Sequence, residues 1–187
     1  MKTRIISGVV MLPLLAVLYF GGWAVKIAGF LVAVIGIKEF YSGFEKMDIK
    51  PSFAIGMCSA AMLYCINIFY PSPEAHFLWL FLSILACLLY LFDIDNRKLE
   101  DGMATATGII YIVFFSYHIV LFDQLGYLRI FIWLAIISAF GTDIFAYFVG
   151  MALGKHKLCP KISPKKSIEG SVGGIVGSVI LSGIFTM

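Results

Sequence analysis

Long apolar runs recur along almost the whole chain of 187 residues, and they constrain its fold more than any other feature. Hydrophobic residues make up 61% of the sequence and charged residues 13%, whereas a soluble domain is closer to half apolar and about a quarter charged. An α-helix formed by one of these runs is long enough to cross a bilayer. The sequence therefore predicts an all-α, polytopic transmembrane helix bundle with about seven spans. The predicted spans are residues 5–20, 23–41, 53–70, 75–92, 103–121, 129–153 and 171–187.

The predicted organisation is a single integral membrane domain, residues 1–187. Spans within residues 5–121 act as a scaffold, and residues 129–187 carry the candidate site. Basic residues sort unequally between the predicted loops, since only Lys26 and Arg129 fall on one side. The other twelve share the opposite side: Lys2, Arg4, Lys38, Lys46, Lys50, Arg97, Lys98, Lys155, Lys157, Lys161, Lys165 and Lys166. The positive-inside rule places that side, with the N-terminus, in the cytoplasm.

One carboxylate, Asp143, lies inside the sixth predicted span between two apolar runs. An ionised side chain at that depth costs at least a few kcal/mol, so it normally faces protein, water or a cation. On a helix it shares a face with Ala146, Tyr147, Gly150 and Gly154, where small residues let another helix approach closely. Asp143 is either a ligand for a metal or proton between helices, or a structural residue bonded to a neighbouring polar group.

A strongly basic loop, residues 154–167, follows this span. It contains two prolines, which favour extended backbone, and five lysines: Lys155, Lys157, Lys161, Lys165 and Lys166. The lysines either converge on a polyanion, or set the topology and touch anionic lipid headgroups. Glycines follow with the spacing of close helix packing, at Gly170 and Gly174 and at Gly173 and Gly177. A phosphate-binding helix start is the alternative interpretation of these glycines.

These segments resemble bacterial phosphatidate cytidylyltransferase, also called CDP-diacylglycerol synthase. The resemblance is carried by D-x-x-A-Y-F-x-G at residues 143–150, G-K-H-K-L at 154–158, P-K-I-S-P-K-K-S-I-E-G at 160–170 and G-G at 173–174. Weaker similarities are R-I-I-S-G-V at residues 4–9, K-E-F-Y at 38–41 and G-x-x-Y at 108–111. Together the motifs extend across the whole chain. The long, ordered block from residue 143 to residue 170 is the most specific of them.

The resemblance implies an activity, a location and a site. The family transfers CMP from CTP to phosphatidate, gives CDP-diacylglycerol and pyrophosphate for phospholipid biosynthesis, and requires Mg²⁺. The implied partners are CTP, phosphatidate and membrane lipids, with no nucleic acid, in the bacterial inner membrane. Asp143 is the implied metal ligand, and it forms the implied catalytic set with Lys165 and Lys166. The implied substrate-binding residues are Lys155, Lys157, Lys161, Ser163, Ser167 and Tyr147. The small-residue helix faces also suggest a possible homo-oligomer.

The sequence departs from the family at its C-terminal end. A K-D pair and the segment H-G-G-x-x-D-R-x-D, which supply most metal-binding carboxylates, do not occur before Met187. The expectation is therefore a truncated chain, with the last part of the family fold missing and weak or no activity. The alternative function is a non-catalytic membrane subunit or a small ion-coupled transporter. That function predicts an inverted repeat with broken helices in both halves, and only the second half has a charged, glycine-rich span.

Overall fold

A computed structural model describes residues 13–187, and helices occupy most of them. The first helix, α1, includes residues 13–20, and a turn through Gly21 and Gly22 follows, both with positive φ. The next helices are α2 (Trp23–Glu45), α3 (Phe53–Phe69), α4 (Pro73–Tyr90), α5 (Leu99–Gly108) and α6 (Phe115–Gln124). The remaining elements are α7 (Arg129–Leu153), β1 (Lys157–Cys159), β2 (Ser163–Ser167) and α8 (Ile168–Thr186). The all-α prediction is confirmed, with one short hairpin added to it.

Four helical segments are long and apolar enough to cross a membrane, which indicates a membrane protein. They are Pro73–Tyr90, Leu99–Gln124, Gly126–Leu153 and Ile168–Thr186. Helix α3 is apolar but shorter, with 17 residues. The first predicted span, 5–20, lies partly outside the described residues, and the motif at 4–9 lies wholly outside them.

Two predicted spans differ from expectation in detail. The fifth is not uniformly α-helical, because a π-helical stretch, Ile109–Phe114, joins α5 to α6. The sixth, 129–153, is long for a bilayer, and this length predicts either a break near Gly141 or an end that projects beyond the lipid. Helix α7 is continuous through Gly141, so no break occurs. Its 25 residues extend about 37 Å, longer than the roughly 30 Å hydrocarbon layer.

The chain divides into two compact units, the first ending at Gln124 and the second comprising Leu125–Met187. This boundary separates the predicted scaffold from the predicted site-bearing segment. The single-domain organisation stays a prediction.

Tyr41 in α2 organises the core of the first unit. Its side chain is 2% exposed, and its hydroxyl group donates to the backbone oxygen of Thr105 at 2.7 Å. The ring fills the space beside two glycines on neighbouring helices. A Cβ at Gly108 would overlap the ring, and a Cβ at Gly56 would lie 3.0 Å from the hydroxyl oxygen. The motifs K-E-F-Y and G-x-x-Y therefore meet in this core, where the tyrosine of the first packs on the glycine of the second.

Asp101 joins two loops of the first unit. The many charged residues at 93–101 predict a solvated turn, and that interpretation is wrong for Asp101, which is 2% exposed. One carboxylate oxygen accepts from the backbone N–H of Lys50 at 2.6 Å, and the other accepts from that of Lys98 at 2.9 Å. The carboxylate thus satisfies one amide before α3 and one at the start of α5.

Asp101→Asn is expected to lower the free energy of unfolding of the chain in detergent by about 2 kcal/mol. The amide would place N–H donors against one of the two backbone N–H groups, so one part-buried donor loses its acceptor. Asp95→Asn is the control, because Asp95 is exposed in the same loop. Thermal unfolding should show a clear decrease for the first variant and almost none for the second. Equal stability of the two variants would contradict this function of Asp101.

Candidate functional site

Helices α7 and α8 pack tightly against each other through glycines. A Cβ at Gly170 would lie 2.7 Å from the backbone oxygen of Ala146. A Cβ at Gly174 would lie 2.9 Å from the backbone oxygen of Thr142. Such approaches leave no room for a side chain, so the interpretation of these glycines as helix-packing residues is confirmed.

The α7 face that is predicted to carry Asp143 and the small residues packs only partly against α8. Ala146 and Gly150 face α8, with Gly150 beside Ser167 and Gly170. Asp143 and Tyr147 lie on the exposed side of α7, and Tyr147 is 52% exposed, with its ring edge-on to that of Phe148.

Among the described residues, none forms a hydrogen bond or ion pair with the Asp143 carboxylate. The structural alternative for Asp143 required a neighbouring polar partner, and the described part of the chain provides none. A charged group in a span nevertheless needs a polar partner. Whether Asp143 binds a metal or a proton, or bonds to a group outside the described residues, stays a prediction.

The basic loop forms an antiparallel pair of strands rather than a simple extended loop. Lys157 pairs with Ser167 and Cys159 with Ser163, with an irregularity between these two pairs. The backbone N–H of Ile162 donates to the Cys159 oxygen at 3.2 Å and closes the turn. We call residues 155–167 the basic hairpin. It connects α7 to α8, so both ends of the hairpin are fixed by helices.

Glu169 closes the base of the basic hairpin. Its carboxylate accepts from the backbone N–H groups of Lys155 and His156, each at 3.2 Å. Nδ1 of His156 lies 2.7 Å from Oε1 of Glu169, and because a carboxylate only accepts, the ring nitrogen is the donor. The backbone N–H of Ile168 also donates to the His156 oxygen at 2.9 Å. These bonds attach the start of the hairpin to the first turn of α8.

Ser167 has a structural function at the same place. Its hydroxyl oxygen accepts from the backbone N–H of Gly170 at 3.2 Å and so caps α8. The side chain is buried, at 7% exposure, against Gly150 and Gly154. Its contact with substrate stays a prediction.

Glu169→Gln is expected to loosen the hairpin base, because the amide group replaces one acceptor oxygen with a donor. Hydrogen exchange at the Lys155 and His156 amides should accelerate by about tenfold. Glu100→Gln is the matched control, since Glu100 is exposed in the first turn of another helix. Unchanged exchange at both amides in Glu169→Gln would show that the carboxylate does not hold the hairpin.

The five hairpin lysines are all exposed, and none of their ammonium groups is paired with another described residue. Side chains in a strand alternate between faces, so the consecutive residues Lys165 and Lys166 project to opposite sides of β2. Ser163, at the start of that strand, is half-buried. The fold thus gathers five cations on one short element, and in the described part of the chain no carboxylate pairs with any of them.

The hairpin and Asp143 are not in direct contact along α7. Ten residues separate Asp143 from Leu153 at the end of the helix, a rise of about 15 Å. The reach of a lysine side chain is well below that length. The described residues therefore bring together the basic set but leave the carboxylate apart from it.

Magnesium ligands are sparse in the described part of the chain. No group of three His, Cys, Asp or Glu residues there could hold a metal ion. Asp143 offers one carboxylate, and Mg²⁺ is usually held by one or two carboxylates together with substrate phosphates. The described residues do not make a magnesium site by themselves, and the Mg²⁺ requirement stays a prediction.

Sequence reasoning treated Glu169 only as a negative charge among the lysines and did not find its function. A signal was present, since Ser167 is a favoured helix N-cap and an acidic residue in the first turn is typical of a helix start. That pattern locates the beginning of α8, three residues earlier than the predicted span.

Comparison with protein-family models identifies the family of the chain. A family model described as the cytidylyltransferase family matches residues 2–187, which include both units and the basic hairpin. A search of curated proteins finds no match to the chain. The predicted resemblance to phosphatidate cytidylyltransferases is therefore confirmed at the level of the family. With nearly its whole length matched, the chain belongs to the cytidylyltransferase family, whose general activity is nucleotidyl transfer.

Proposed function

We propose that this chain is a phosphatidate cytidylyltransferase, which transfers CMP from CTP to phosphatidate and releases pyrophosphate. Family membership supports nucleotidyl transfer, and the membrane-spanning helices support a substrate dissolved in the bilayer. The observation that carries the proposal is the basic hairpin, which presents five unpaired lysines directly between two candidate spans. Phosphate-bearing reactants of both kinds, one aqueous and one lipid, can reach an element in that position.

The hairpin lysines meet an electrostatic need of this reaction. A phosphate oxygen of phosphatidate attacks the α-phosphorus of CTP, and the bond from that phosphorus to the bridging oxygen breaks as pyrophosphate leaves. Both reactants are anions, so cations are required to bring them together and to stabilise the charge on the leaving group. Lys165 and Lys166 project to opposite faces of β2, so one lysine can contact CTP while the other contacts phosphatidate. Lys155, Lys157 and Lys161 add charge around them, and Ser163 and Tyr147 complete the proposed substrate contacts.

Asp143 is the proposed organiser of the site within the membrane. Its carboxylate is exposed on α7 and has no partner among the described residues, so it is available for a bound cation. Mg²⁺, when bound, would neutralise phosphate charge with Asp143 as one ligand and further ligands supplied by the substrates or by carboxylates outside the described set.

The proposed location is the bacterial inner membrane, with the hairpin on the cytoplasmic side where CTP is available. Twelve of the fourteen basic residues fall on that side in the predicted topology, and the hairpin contributes five of them. Association of copies through the small-residue faces stays a prediction. In the structure the glycines of α8 pack against α7 of the same chain.

The test is transfer of labelled CTP into lipid by membranes that contain the chain, with phosphatidate and Mg²⁺ supplied. The chain is assayed alone and joined to the family's H-G-G-x-x-D-R-x-D segment. We expect clear turnover from the extended form and weak or no turnover from the chain alone. Asp143→Asn in the extended form should lose about 100-fold, while Asp95→Asn, which removes the same charge elsewhere, should not. No lipid labelling by the extended form would favour a non-catalytic or ion-coupled membrane protein. Equal labelling by the two variants would leave the activity in place but overturn the role of Asp143.

A further inference from the structure

The turn of the basic hairpin carries an exposed apolar residue, Ile162. Its side chain is 85% exposed at the end of the hairpin, between Lys161 and the lysines of β2. Leu158 in β1 is also exposed, at 49%. A short soluble turn would normally place polar residues at such positions. Apolar residues surrounded by lysines are instead the composition of segments that lie in the interface of a membrane.

The hairpin begins and ends at the edge of the membrane. Both helices at its ends are candidate spans, and α8 begins immediately after β2. The 19 residues of α8 extend about 28 Å, close to the thickness of the hydrocarbon layer, so its first turn lies near the edge of that layer. The three residues of β1 extend about 10 Å and the five residues of β2 about 17 Å. The headgroup region adds roughly 5–8 Å on each side of the bilayer, so the turn meets that region when the hairpin lies along the surface, which its apolar turn and flanking lysines favour.

We propose that the hairpin turn is a membrane anchor, in which Ile162 inserts into the headgroup region of an anionic bilayer while Lys161 and Lys166 contact lipid phosphates. The occupant of this surface is the bilayer itself, as the charge indicates. No carboxylate among the described residues pairs with the hairpin lysines, and the nearest one, Glu169, is engaged at the hairpin base. Anionic lipid headgroups provide the negative charge that pairs with the lysines, and the apolar side chain of Ile162 inserts between the headgroups. The inference does not depend on the proposed enzymatic activity.

The experiment uses the full chain with Ile162→Trp, reconstituted into vesicles. The vesicles contain phosphatidylcholine alone or mixed with phosphatidylglycerol, and the acyl chains carry bromine near the glycerol end to quench nearby tryptophan. Emission from the three native tryptophans is measured with the unsubstituted chain and subtracted. A matched form of Ile162→Trp also carries Lys161→Gln, Lys165→Gln and Lys166→Gln. The readout requires neither CTP nor turnover, so it is independent of the test of the proposed function.

We expect bromine quenching of the residue 162 signal to be at least about twofold stronger in the anionic vesicles than in phosphatidylcholine alone. The lysine-substituted form should lose most of that difference. Equal quenching in the two vesicle types would overturn the requirement for anionic lipid. If bromine does not quench the tryptophan at residue 162, the anchor itself is overturned. This holds whether aqueous acrylamide quenches that tryptophan, which means that it is in water, or does not, which means that protein shields it.

Discussion

Replacing Lys165 and Lys166 together with alanine is expected to weaken CTP binding by about tenfold or more. Hydrogen bonds from a charged donor to phosphate contribute about 1.5–3 kcal/mol each, and solvent exposure places these two at the lower end. The two single variants should differ in CTP affinity. Consecutive residues of β2 project to opposite faces, and only one face can contact the nucleotide. Equilibrium binding of labelled CTP to the purified chain measures the effect.

Lys46→Ala is the control for this loss of charge. Lys46 is exposed at the end of α2, outside the hairpin and on the same predicted side of the membrane. Its removal lowers the net charge by one unit but should leave CTP affinity almost unchanged. If Lys46→Ala weakens binding as much as either hairpin variant does, the attraction is a general effect of net charge and the hairpin is not the binding element.

Gly170→Ala should destabilise the α7–α8 pair by about 3 kcal/mol, the upper end of the range for overpacking. The new methyl group would lie 2.7 Å from the Ala146 backbone oxygen and 3.0 Å from the Gly150 Cα. Both are backbone atoms, so no side-chain rotation can relieve the overlap, and the helices must separate. Separation would also disturb the Ser167 cap, whose acceptor interaction is with the Gly170 N–H. Thermal unfolding in detergent measures the loss.

Gly183→Ala on the same helix gives the matched comparison. A Cβ at Gly183 meets no atom within 4 Å, so the substitution adds helix propensity without a clash. Its expected effect is a gain of up to about 1 kcal/mol. Opposite signs for the two substitutions would support close packing at Gly170. A neutral or stabilising Gly170→Ala would mean that the helices do not approach as closely as described.

Hydrophobic runs predicted the helices well because a membrane span depends on the length and polarity of one contiguous segment. Helices occupy the predicted spans from α2 to α8 within the described residues, and four segments also meet the criteria for crossing a membrane. The glycine spacing likewise predicted the packing of α8, because residues four apart share a face of a helix. These features are local, and a local pattern is sufficient to define them.

Features that depend on distant partners were not predictable in this way. Asp101 binds an amide 51 residues away, and no pattern near it indicates that bond. The basic hairpin depends on strand pairing across two prolines, which suggested extended chain but not a register. The π-helical stretch at Ile109–Phe114 adds an irregularity within an apolar run whose composition does not change.

The candidate site was predicted in composition but not in geometry. The sequence identified the five lysines and Asp143, and the structure places the lysines on one hairpin. It also places Asp143 about 15 Å along α7 from the end where the hairpin begins. The roles assigned to these residues stay predictions.

The most direct measurement is the rate at which an amine-reactive reagent modifies each lysine of the purified chain, with and without CTP. Mass spectrometry of the peptides reports each position separately. CTP should protect hairpin lysines, with Lys165 or Lys166 protected most, and should leave Lys46 and Lys98 unchanged. Protection spread evenly over all lysines, or none on the hairpin, would contradict the proposal that this hairpin binds the phosphate-bearing reactants.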